Sequence, residues 1–253
     1  MEMNFESLKK EILSQLPIKN TDSSIPGFYA MDDATALGKN RVDAASALVF
    51  KNILFYLGLI FRYPTEQIYS EIETRLDTFT DFFVDYGGAA PQLPPIEELQ
   101  SEYIRLFVNN QGFVPAMPYA SCYQSEGLLM SDQFYRLRQI MVKSGFMVNE
   151  TVKELEDHIA ILLEFCAGLL NQLASGQASS GKSSGACVAA LMEVSYLYIE
   201  PMMDAFCDRI HAYAYDDFYK IAGKTLKSLM QDADTIYDQL LGFRIHSINE
   251  LQG

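Results

Sequence analysis

A chain of 253 residues, 49% of them hydrophobic, carries enough apolar surface to bury a core without disulfides or metal. The net charge of −14, from 33 acidic against 19 basic residues, argues against a nucleic-acid partner, because phosphate binding needs clustered Lys and Arg. An acidic body suits a basic peptide partner, and it also serves solubility.

Met1 to Leu16 mixes Glu and Lys among isolated apolar residues, which is not the pattern of a signal peptide. Within it Leu8, Ile12, Leu13 and Leu16 predict a short first helix, closed by Pro17. Residues 17–40, with Pro26, Gly27 and Gly38, read as a loop or extension. A long apolar helix is expected from about Val42 to Phe61, ended by Tyr63-Pro64. Ile68, Ile72, Leu76, Phe79 and Phe83 then step by three or four along one helical face. Gly87-Gly88 and Pro91, Pro94 and Pro95 break the chain. Ile96 to Val108 is expected to form one helix, with Tyr103, Leu106 and Phe107 sharing a face. Residues 109–123 form a Pro-rich loop.

Ser131 or Asp132 can cap a helix holding Phe134, Leu137, Ile140 and Met141. Thr151 and Glu154 fit a capping box, and the helix they open is expected to run through Ile159 to Leu173. Ser175 to Gly185 has too little apolar surface to pack and reads as a linker. Helices follow around Ala186–Tyr213, Asp217–Met230 and Asp232–Leu241, with Pro201 expected to kink or divide the first. The fold expected is all-α, a single helical bundle with room for two lobes: an extension over 1–40, a lobe over 41–174, a linker over 175–185 and a lobe over 186–253.

Cys122, Cys166, Cys187 and Cys207 have no C-x-x-C spacing and read as reduced thiols, mostly buried. No uncharged apolar run reaches ~18 residues, so no membrane insertion is expected and the location expected is the cytoplasm. Gly176, Gly181, Lys182 and Ser183 match the G-x-x-x-x-G-K-[ST] phosphate loop, in which backbone amides cradle phosphates. That loop must follow a buried strand. Here a helical pattern precedes it, so nucleotide binding stays an alternative, as does a plain helical scaffold, rather than the main reading. The three histidines, His158, His211 and His246, lack metal-ligand spacing, and no metal or other cofactor is expected. Asp157-His158, taken by spacing alone, reads as a solvated pair on the early turns of a helix.

Tyr103, Leu106 and Phe107, followed by Pro115, Pro118, Tyr119, Ser121 and Tyr123, join an aromatic helix face to a Pro-x-x-Pro loop. Glu156-Asp157-His158-Ile159, running into Leu163-Glu164-Phe165, forms a second block, and Pro201, Phe206 and Asp217-Phe218-Tyr219 a weaker third. In these residues the chain resembles the TorD/DmsD/NarJ family of chaperones over roughly residues 41–241. It departs from that pattern in having no Trp, Leu155 near the place of a Pro before Asp-His, and Tyr198 and Met202 beside the later proline.

The resemblance implies an all-helical protein that is not an enzyme. It implies binding to the twin-arginine signal peptide, the body, or both, of a molybdopterin oxidoreductase, which delays export and assists cofactor insertion. Tyr103, Leu106, Phe107, Pro118 and Tyr119 would then line an apolar groove, with Pro115, Ser121 and Tyr123 also among the peptide-binding residues. Glu156 and Asp157 would meet the arginines, with His158 orienting the contact. A monomer or a domain-swapped dimer fits the linker.

Overall fold

The computed structural model describes the backbone of residues 28–30 and residues 43–124, 132–149, 151–175 and 184–241. The short helix expected over Leu8–Leu16 and the phosphate-loop match at 176–183 lie outside the described residues. The architecture is all-α, with one two-stranded ribbon at its side.

Helix α1 (Ala44–Ile60) starts at Asp43, whose carboxylate accepts the Ala45 amide at 3.1 Å. It is apolar nearly all round and therefore central. Its main partner is α5 (Ile159–Ser175), equally apolar, with every residue from Ile159 to Leu170 buried. Gly58 allows their close approach: a Cβ there would sit 3.2 Å from both the Ala160 carbonyl oxygen and Glu164 Cγ. Tyr63-Pro64 ends α1 as expected, and Thr65 caps α2 (Glu66–Gly87) by accepting from the Ile68 amide at 3.3 Å. Gly88, at φ +82°, closes α2 in the left-handed conformation.

Helix α3 (Ile96–Tyr103) does not continue regularly to Val108. Residues Ile104–Val108 form a π-helical turn, in which Asn109 N bonds the Ile104 oxygen at 2.8 Å. A 3₁₀ turn (Ala120–Tyr123), α4 (Asp132–Lys143) and β2 (Phe146–Val148) follow. The reading of 17–40 as loop needs correction at Phe28–Ala30, strand β1, which pairs antiparallel with β2. Three residues are too few for alternation to show in the sequence.

The helix expected to open at Thr151 begins only at Ile159. The capping box does not form: Thr151 Oγ1 donates to Asn149 Oδ1 at 3.0 Å, and Glu154 accepts from the Tyr119 hydroxyl. Beyond α5 lie α6 (Ser184–Val194), a second π-helical turn (Ser195–Ile199) and α7 (Glu200–Tyr213). Pro201 divides this stretch as expected, because it has no N–H to give the Leu197 carbonyl. The 28 residues from Ala186 to Tyr213 are long and apolar enough by composition to cross a membrane, but half of their most apolar window is buried within the protein, as in a core helix. Helices α8 (Asp217–Gln231) and α9 (Ala233–Leu241) complete the bundle, with Asp216 capping α8 through the Tyr219 amide at 3.0 Å. One hydrophobic core runs from α1 through α5 to α9, and all four cysteines are free thiols, three of them buried.

Candidate functional site

The Pro-rich loop and the Asp157-His158 block, far apart in sequence, lie side by side. Ala120 N donates to the Asp157 carbonyl at 3.0 Å, and Ile159 N to the Pro118 carbonyl at 2.8 Å, around a bridge between Tyr119 and His158. Proline supplies no amide, so the Pro118 link must run through its carbonyl. The Asp157 side chain completes the seam, with Oδ2 accepting the Ser121 amide at 3.0 Å. The Tyr119 ring stands edge-on to the His158 imidazole, centroids 5.2 Å apart, and its hydroxyl donates to Glu154 at 2.5 Å.

Asp157 and His158 are each only 1% exposed, which overturns their reading as a solvated pair. They precede α5 instead of riding on its early turns, and the Pro-rich loop covers them. His158 Nδ1 accepts the Ala160 amide at 3.2 Å, so a neutral ring carries its proton on Nε2. Burial lowers the His158 pKa to about 3, with the Arg62 charge adding to the effect. Burial pushes Asp157 above the usual carboxylate range, against the pull of Ser121, whose amide it accepts. Ser121 Oγ, Tyr123 OH, Asp157 Oδ1 and His158 Nε2 are buried with no hydrogen-bond partner among the described residues. His158 Nε2 therefore bonds neither Ser121 nor Asp157, and the three do not line up as a nucleophile with its base.

The residues expected to line an apolar groove are placed differently. Tyr103, Leu106 and Phe107 do share a face, but it points into the core. The Phe107 ring packs against Phe61, Tyr103, Phe206 and Tyr219, and the Tyr103 hydroxyl donates to the Phe61 carbonyl at 3.4 Å. Pro115, Pro118 and Ser121 are buried, while Tyr119 and Tyr123 are half-buried, Tyr123 lying between Phe206 and the Arg209 guanidinium. Glu156 is half-buried and already paired with Arg138, whose Nε donates at 2.6 Å. The seam thus unites Pro118, Tyr119, Ser121, Asp157 and His158, and it leaves Tyr103, Leu106 and Phe107 beneath it as support.

A carbonyl from each π-helical turn holds this loop. Leu106 O accepts the Ala116 amide at 3.0 Å. Leu197 O, left without the Pro201 amide, accepts from Gln124 Nε2 at 2.6 Å.

A second buried carboxylate escaped the sequence reading. Glu164, one turn into α5, is 1% exposed in its side chain and takes a two-pronged contact from Arg62, both at 2.5 Å. Burial pushes it up to about 7 against the pull of Arg62. A Glu inside the unbroken apolar run of α5 was the available signal, since a charge there needs a partner. The element preceding the phosphate-loop match is α5 itself, a helix and not a strand.

Fold and seam define an all-helical bundle in which a buried carboxylate and imidazole lock a Pro-rich loop to the start of a central helix. A family model described as nitrate reductase delta subunit matches residues 65–208, more than half of the chain. The chain belongs to that family, which is the NarJ/TorD family. It is 25% identical over 144 residues to the chaperone protein TorD of Vibrio cholerae serotype O1, covering 57% of this chain and 64% of that one. It is 36% identical over 74 residues to the chaperone protein TorD of Vibrio atlanticus, covering 29% and 34%. The chain thus spans less than two thirds of the length of the curated relatives it matches. A crystal structure of a proposed redox enzyme maturation protein from Archaeoglobus fulgidus aligns with a TM-score of 0.47 at 19% identity, over 72% of this chain and 93% of that one.

Proposed function

We propose that this protein is a chaperone for a molybdopterin-containing oxidoreductase, binding its twin-arginine signal peptide and its apo form, delaying export and assisting cofactor insertion. It works without catalysis of its own, in the cytoplasm. Family membership and the TorD relatives support the class. The observation that carries the site is the seam, where Asp157 Oδ1 is a buried acceptor with no partner among the described residues, beside Glu156, which is paired with Arg138. Glu156 holds a guanidinium within the chain, and Arg138 is 57% exposed in its side chain, so an incoming arginine can compete for the same carboxylate. Loosening the 118–121 loop would bring Asp157 within reach of a second.

The test is calorimetry with the twin-arginine signal peptide of the redox enzyme encoded beside this chain, and with its Arg→Lys version. Asp157→Ala should weaken binding by about tenfold to a hundredfold, the worth of a charge-assisted hydrogen bond, while Cys187→Ala should not. An unchanged dissociation constant in folded Asp157→Ala removes Asp157 from the site. No binding of either peptide removes the reading itself.

A further inference from the structure

Tyr103, Leu106 and Phe107 turn inward, and the other side of the same helix end looks outward. We propose that this outward ridge takes the apolar stretch of a basic peptide, a proposal that rests on the peptide-binding reading above. Its side chains are Ile104, Val108, Phe113, Tyr213 and Tyr215, exposed at 42%, 54%, 49%, 43% and 79%. They come from three places, the first π-helical turn, the Pro-rich loop and the end of α7 with the residues just after it. The Phe113 and Tyr213 rings meet edge to face with centroids 5.9 Å apart.

Arg105 stitches the ridge together from below. It holds the buried Glu102 by Nε at 2.7 Å and Nη2 at 2.6 Å, and Nη2 also donates to the Tyr213 carbonyl at 2.5 Å. Its guanidinium lies 3.6 Å from the centre of the Tyr215 ring, and the Tyr215 amide returns to Glu102 at 2.7 Å. Aromatic side chains fixed in this way offer apolar area at little cost in entropy. An apolar patch of this kind on a polar surface is the usual mark of a contact site.

Charge selects the occupant. Arg105 is neutralised by Glu102 and Lys220 is paired with Asp217 at 3.3 Å, while Asp216, which accepts the Tyr219 amide, adds a negative charge next to Tyr215. A second copy of a chain of net charge −14, or an anionic membrane, is repelled as a whole. An apolar segment flanked by cations fits both the ridge and the field. The loop that carries Phe113 continues through Pro115 and Pro118 into the Asp157 seam, so one peptide can engage both.

The probe is a synthetic peptide with two adjacent arginines followed by an apolar stretch of about ten residues, the length of a signal-peptide h-region. A second version carries Ser in place of Leu in the stretch, and a third carries Lys in place of Arg. Phe113→Ser/Tyr213→Ala should bind the intact peptide about tenfold more weakly than wild type, the scale of an interface hot spot. It should bind the Leu→Ser version as wild type does, and keep the preference for Arg over Lys. Should the double variant melt early, Tyr215→Ala, at the most exposed position, carries the same expectation. An unchanged dissociation constant for the intact peptide, or an equal loss for intact and Leu→Ser peptides, overturns the ridge while leaving the Arg-dependent reading standing. A dimer in sedimentation that the double variant abolishes, with peptide affinity intact, assigns the ridge to a second copy and overturns it too. No binding of any of the three peptides to wild type overturns both readings.

Discussion

Two carboxylates lie buried at the start of α5, and the protein satisfies them by different means. Glu164 faces α1 and is met by a guanidinium, Arg62, in two short contacts. Asp157 faces the Pro-rich loop and is met by a backbone amide, that of Ser121, with one oxygen left over. The first arrangement confronts a charge with a charge inside the bundle. The second uses a carboxylate to hold a loop, and it retains an unfilled acceptor. A charge fully matched within the fold is structural, whereas the acceptor left over beneath the loop is the one the proposed peptide reading uses.

The comparison is broken most severely on the Glu164 side. Arg62→Ala leaves a buried carboxylate without its cation, and a loss of about 3–5 kcal/mol in denaturant unfolding is expected. Arg62→Met combined with Glu164→Leu should recover most of that loss, because the desolvation cost disappears with the pair. A single Arg62→Ala no worse than the double variant would show that the pair is solvated.

On the Asp157 side the effect should be smaller. Asp157→Ala strands the buried Ser121 amide, at a cost of about 1–3 kcal/mol, while Asp157→Asn keeps an acceptor there and should cost less. Equal losses for the two substitutions, read from the same unfolding curves, would mean that the amide is not held by this side chain.

The most discriminating effect is in pH. His158, lowered to about 3, binds fewer protons folded than unfolded, so its contribution is lost as pH falls below 6.5. Glu164, raised to about 7, binds more protons folded than unfolded, so its contribution is present at low pH and is lost as pH rises from 4.5 toward 7. Between pH 4.5 and 6.5 the two slopes oppose and nearly cancel. His158→Asn, which keeps an acceptor for the Ala160 amide, should uncover the Glu164 slope: stability increases as pH falls from 7 to 4.5, by about 1.4 kcal/mol per unit. Glu164→Gln should uncover the opposite slope. Unfolding titrations that stay flat in both variants would contradict the assignment of buried protons to these two groups.

Much of this was legible from spacing. The three- and four-residue apolar steps located α1, α2, α4 and α5 to within a few residues at most boundaries, because a helix that must bury one face has to repeat its apolar residues at that period. Pro201 announced the second break by chemistry, since it lacks an amide. The first π-helical turn has no proline and no other local mark. Its Leu106 carbonyl finds its partner, Ala116, only through the fold of the loop. The family resemblance, and not spacing, joined the blocks around Tyr103 and Asp157 as one site, and the structure brings the Pro-rich loop and Asp157 together.

By itself the sequence determined the helical class, the order of the main helices, and the residue types of the seam. Only the tertiary structure decided which way they face. Tyr103, Leu106 and Phe107 share a helical side in any reading, but whether that side meets a peptide or Phe61, Phe206 and Tyr219 depends on helices remote in sequence. Asp157-His158 reads as solvated until residues 118–121 are laid over it, because burial is a property of what packs above a residue and not of its neighbours along the chain.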